Sequence, residues 1–177
     1  MKDSYLIMDL FWRYAALLIV ALLNLGIFYL VLTPLTIYPV YLLLNIFFDL
    51  YLAGNLIVVI GHFPIEIVNS CIAGSAYSLL LILNLATLNI KFKDRIKIFI
   101  TSFLALLIIN ILRIFFLSIL FVNDSVWFDF LHKLFWGLLS TLFVTGIWFI
   151  ELKKFKIKNI PFFSDLKFLY ENSVFKK

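Results

Sequence analysis

The stretch IFITSFLALLIINILRIFFLSILFV, Ile98 to Val122, decides the class of this chain. As a helix rising 1.5 Å per residue it is long enough to cross a hydrocarbon core of about 30 Å. It carries a single charge, Arg113. A charged centre inside such a helix costs roughly 2.5–3.5 kcal/mol on insertion scales, so an arginine kept there marks a candidate functional site.

Three further stretches have the same character: Tyr14–Thr33, Cys71–Ile90 and Leu131–Ile150. The whole chain of 177 residues is 64% hydrophobic and only 14% charged, against about 25% charged in soluble domains. These values predict an all-α integral membrane protein, a single membrane domain over residues 1–177 with about four transmembrane helices. The first apolar stretch is not followed by a small-x-small cleavage site and reads as a retained anchor. With one cysteine no intramolecular disulfide is possible. The net charge of +5 gives no indication of nucleic acid, because the basic residues sit beside the apolar stretches, where they set topology and meet anionic lipid.

Those bases fix the expected orientation. Lys91, Lys93, Arg95 and Lys97 link the second and third spans, Lys153, Lys154, Lys156 and Lys158 follow the fourth, and Lys2 and Arg13 precede the first. Between Pro34 and Ser70 there is no Lys or Arg, and the link from Asn123 to Phe130 holds only Asp124 and Asp129. The positive-inside rule then places both termini in the cytoplasm of a multi-pass protein of the cytoplasmic membrane, with residues 35–70 outside. Within that outer segment Tyr38, Tyr41, Asn45 and Asp49 recur at helical spacing, so Leu35–Leu52 is expected as an interfacial helix. The runs Ile57–Ile60 and Ile65–Val68, broken at Gly61-His62, predict a short β-hairpin. Residues 151–177 are expected to form a basic cytoplasmic tail along the inner leaflet.

This topology brings three reactive residues to one face. Cys71 opens the second span and His132 the fourth, both at the outer interface. Arg113 precedes Val122 by roughly 13 Å of helix, and its side chain can snorkel outward. A thiol at a helix start near a cation has its thiolate favoured. A histidine in reach can take the thiol proton and return it to a leaving amine, and a fixed guanidinium can stabilise an oxyanion. Together they form the parts of a cysteine peptidase or transpeptidase. His62, in the outer hairpin, is the alternative base, and Asp49 or Glu66 are candidate partners for Arg113.

The stretch GNLIVVIGHFPIEIVNSCIAGS (Gly54–Ser75), the NILRI helix segment (Asn110–Ile114) and the LHKLFW segment (Leu131–Trp136) resemble, in that order, the Cys, Arg and His regions of the exosortases and archaeosortases. The resemblance covers about Thr33 to Ile150. It implies a membrane-embedded cysteine protease or transpeptidase that processes C-terminal sorting signals of exported proteins at the outer membrane face. It assigns Cys71 as nucleophile, Arg113 as oxyanion or substrate stabiliser and His132 as proton shuttle, with Glu66, Asn110 and His62 supporting. The chain departs from the family where Cys-Ser/Thr-Gly is replaced by Cys71-Ile72-Ala73-Gly74, and in having one span before the hairpin. Neither metal nor organic cofactor is implied, and no phosphate-binding glycine pattern is present. The alternative is a non-catalytic membrane scaffold or sorting-signal-binding protein, in which Arg113 would be a packing cation.

Overall fold

The computed structural model describes residues 2–87 and 90–157. It is mostly helical: α1 (Lys2–Leu44), α2 (Asn69–Ile72), α3 (Gly74–Ala86), α4 (Phe92–Val122), α5 (Phe128–Leu134), a π-helical turn (Phe135–Leu139) and α6 (Ser140–Lys154). Three strands, β1 (Leu50–Ala53), β2 (Leu56–Val59) and β3 (Ile65–Glu66), lie between α1 and α2. Among the described residues three helical stretches are long and apolar enough to cross a membrane: Asn69–Ala86, Phe92–Val122 and Phe128–Lys154.

Exposure on α4 runs opposite to that of a water-soluble helix. Ile100, Leu104, Ile108, Leu112 and Phe116 form an exposed stripe four residues apart, while Ser102, Asn110 and Ser118 are buried on the other face. Lipid tails tolerate the apolar stripe, and polar side chains must find partners inside the bundle. α3 packs against α1, α4 and α6, and α4 against α1 and α6. Leu32, Val40, Leu44, Ile72, Tyr77 and Val144 are fully buried at these contacts. Gly74 lets α3 approach α1 closely: a Cβ there would lie 2.8 Å from the ring of Tyr29.

The segment Leu35–Leu52 departs from the expected interfacial helix. α1 continues without a break through Pro34 and Pro39 to Leu44, so the segment's first half belongs to the same helix as the expected span Tyr14–Thr33. A proline removes a main-chain donor and frees a carbonyl one turn earlier. The helix continues through both, the freed carbonyls being those of Leu30 and Leu35, while Thr33 Oγ1 adds a second bond to the carbonyl of Tyr29. The second half is not helical: Leu50–Ala53 is β1.

The expected two-stranded hairpin is a three-stranded antiparallel sheet in the order β1-β2-β3. β1 meets β2 through the two-residue turn Gly54-Asn55, pairing Ala53 with Leu56. Gly54 has φ +66°, a conformation that glycine adopts at no steric cost in tight hairpin turns. Ile57, Val59 and Ile67 are buried and continuous with the helical core, while Val58, Tyr51 and Glu66 alternate to the other face. The sheet thus closes one end of the bundle and delivers the chain to α2. Of the expected basic tail, residues 158–177 lie outside the described residues; residues 151–154 continue α6.

Candidate functional site

Cys71 lies in α2, a single turn that ends at Ala73 in the left-handed conformation (φ 60°, ψ 33°) before α3 begins at Gly74. The break deprives the carbonyls of Cys71 and Ile72 of the helical partners they would have in a continuous helix. α4 supplies the replacements. Asn110, 3% exposed, donates from Nδ2 to the carbonyl of Cys71 at 3.0 Å and of Ile72 at 3.4 Å. Arg113 donates from Nη2 to the same Cys71 carbonyl at 2.9 Å. The Cys71 N–H is held by the carbonyl of Val68 at 2.8 Å. The thiol-bearing turn is therefore fixed on both sides, and Cys71 itself is half-buried.

Arg113 uses one donor in this way. Its Nε is buried with no hydrogen-bond partner, and neither Asp49 nor Glu66 is paired with it among the described residues. The carboxylate of Glu66 instead accepts from Asn55 Nδ2 at 3.2 Å. The expected alternative of an ion-paired packing arginine is thus not what these residues form; the guanidinium is anchored to main chain and keeps donors in reserve.

A cavity of about 230 Å³ opens in front of this turn, lined by Cys71, Arg113, Glu66 and His132 together. The strand segment Pro64–Val68 and Ser70 form one wall, and Phe121, Phe128, Phe135 and Trp136 contribute aromatic surface. His132 sits in α5 with its ring stacked on Phe128, centroids 5.4 Å apart and planes 9° from parallel. That stacking fixes the imidazole plane while leaving both ring nitrogens free of protein bonds among the described residues. His62 lines a different cavity, with Gly61, Phe63, Phe121, Val122 and Asp124. Geometry therefore separates the two histidines, which sequence alone could not rank.

Two serines lay outside the sequence reading. Ser118, 3% exposed, lines the cavity one face-repeat beyond Ile114; its signal was a hydroxyl on the polar stripe of α4. Ser70, like Arg113 and Trp136, lines both this cavity and a second one of about 220 Å³. Among the described residues no group of three or more His, Cys, Asp or Glu is placed to hold a metal ion. A comparison of the chain with protein-family models, curated proteins and solved structures finds no match.

Proposed function

We propose that this protein is a membrane cysteine protease or transpeptidase of the exosortase/archaeosortase type, acting on C-terminal sorting signals of exported proteins. The observation that carries the reading is the single cavity whose wall holds a thiol, a guanidinium and an imidazole drawn from three helices. Four spans are assigned, the first within α1, with both termini cytoplasmic and the cavity facing outward. The substrate's own span lies beside the bundle and presents its cleavage segment at Cys71.

The chemistry follows from the groups present. His132 accepts the proton of Cys71, and the thiolate attacks the scissile carbonyl carbon. The carbonyl π pair moves to oxygen, where donors of Arg113 not used on the Cys71 carbonyl stabilise the charge. Collapse breaks the C–N bond, His132 protonates the departing amine, and a thioester remains on Cys71. Water or another nucleophile then attacks the thioester, gives its proton to His132 and restores the thiol. Asn110 holds the nucleophile turn without touching substrate.

The test is co-expression with an exported protein that carries a C-terminal motif, span and basic end. Loss of that span, read as a mass shift, is expected with the natural chain and absent with Cys71→Ala. Full processing by Cys71→Ala would overturn the enzyme reading.

A further inference from the structure

β3 is an edge strand, and its residues Ile65 and Glu66 line the cavity that holds Cys71. Its pairing with β2 sets which main-chain groups are left open. Ile67 donates its N–H to the carbonyl of Asn55 at 3.0 Å, and Ile65 and Glu66 stand opposite Ile57 and Leu56. In an antiparallel ladder, successive residues alternate between pairs that exchange hydrogen bonds and pairs that do not. Asn55 with Ile67 is a bonded pair, so Leu56 with Glu66 is not, and Glu66 turns both its N–H and its C=O away from β2. Neither group has another main-chain partner among the described residues.

An outward donor and acceptor on one residue form a two-point dock for extended peptide, because a strand laid alongside pairs one of its residues with both. We infer that the open edge of β3 takes the extended cleavage segment of the substrate as a fourth strand, anchored on the main chain of Glu66, with its scissile carbonyl carried forward to Cys71. This rests on the proposed function and adds how the substrate is recognised. The occupant is a peptide in extended form, since a helix has no free main-chain groups to offer this edge. The aromatic residues lining the cavity, Phe121, Phe128, Phe135 and Trp136, suit apolar side chains. At about 230 Å³ the cavity is smaller than the roughly 300–1,000 Å³ of sites for drug-sized ligands, and holds a side chain or two.

The test uses the one cysteine of the chain as reporter. The probe is the peptide aldehyde acetyl-Val-Leu-Phe-H, whose carbonyl carbon adds the thiol reversibly while its oxygen takes the thiol proton. Protection of Cys71 against iodoacetamide is measured in lipid nanodiscs. Three analogues each carry one methylated main-chain nitrogen. Strand addition predicts that one of the three protects about tenfold less well than the parent, the range of one lost hydrogen bond, and that the other two stay within about threefold. Glu66→Pro removes the outward N–H without touching the ladder, as proline is tolerated on a strand edge. It should weaken protection by the parent about tenfold and shrink the gap between the parent and the sensitive analogue.

Equal protection by all three analogues, or none by the parent, would overturn strand addition. So would a Glu66→Pro variant that leaves parent protection intact but dissociates a dimer, which would assign the edge to a second copy. The enzyme reading fails separately, through processing by Cys71→Ala.

Discussion

Arg113 is bound to the carbonyl of the residue it is proposed to assist, and this makes its planar fork more important than its charge. Nη2 is engaged on Cys71, and the rest of the planar fork is rigidly placed beside it, so the group can hold the nucleophile turn and a developing oxyanion together. Arg113→Lys keeps a positive charge but offers no rigid second donor. It should lower processing by about 10²–10³-fold, as loss of an oxyanion donor does, with normal insertion into membrane. His132→Ala should cost about 10²–10⁴-fold, while His62→Ala, in its own cavity, should change the rate little. The reverse pattern in the substrate mass-shift assay would move the proton shuttle to the hairpin. Next to the thiol, Ala73 occupies the left-handed region without being glycine, a strain of about 1–2 kcal/mol. Ala73→Gly should therefore raise stability by up to about 1 kcal/mol, and Gly74→Ala should lower it by about 1–3 kcal/mol through collision with Tyr29. Reversible unfolding in mixed micelles checks both. Cys71, Arg113 and His132 were legible because each is chemically out of place in an apolar stretch. Their partners were not: the Arg113 bond to a main-chain carbonyl depends on the break at Ala73, which no side chain announces.

Helices were easier to read than their ends. α4 follows from apolar length alone, and α3 from the stretch after Cys71, but the C-terminal end of α3 depends on a distant residue. Arg95, which entered the sequence reading only as a topology charge, donates to the carbonyls of Asn84, Leu85 and Thr87, while Asn84 Nδ2 donates back to the Arg95 carbonyl. These are the orphan acceptors of a helix C-terminus, met by a cation as the helix dipole favours. Arg95→Ala should cost roughly 1.5–3 kcal/mol, and faster amide exchange should be confined to the last turn of α3. A cost spread over the whole bundle would contradict the capping role. The sheet shows the opposite failure. The hairpin was expected to break at Gly61-His62, and the tight turn at Gly54-Asn55 was missed because Tyr38, Tyr41, Asn45 and Asp49 fit a helical period that ran on to Leu52. Periodicity cannot choose between two such patterns when they overlap. Pro34 likewise looked like a boundary, and within apolar packing it is not one.

At the scale of the molecule, the assignment of sides depends on charge rather than packing. The exposed apolar stripe of α4 and three span-length helices suit lipid, and the proposed orientation rests on the basic linker and acidic loop. Single cysteines placed at Asn45, Lys93, Ser125 and Lys154 in a Cys71→Ala background should divide cleanly with a membrane-impermeant maleimide. Positions 45 and 125 are expected to label from outside, 93 and 154 only after the membrane is opened. Labelling of 93 and 125 from the same side would rule out the four-span arrangement. The span-length helices Phe92–Val122 and Phe128–Lys154 were legible because hydropathy is a local property, whereas the cavity exists only once α2, α4 and α5 are brought together. Its purpose is tested most directly by looking for the covalent intermediate. Protein purified from acid-quenched cells that co-express a substrate should carry, on Cys71, the added mass of the substrate's N-terminal portion, removable by hydroxylamine as a thioester is. Cleaved substrate accumulating while any trapped adduct lies on a residue other than Cys71 would contradict the account.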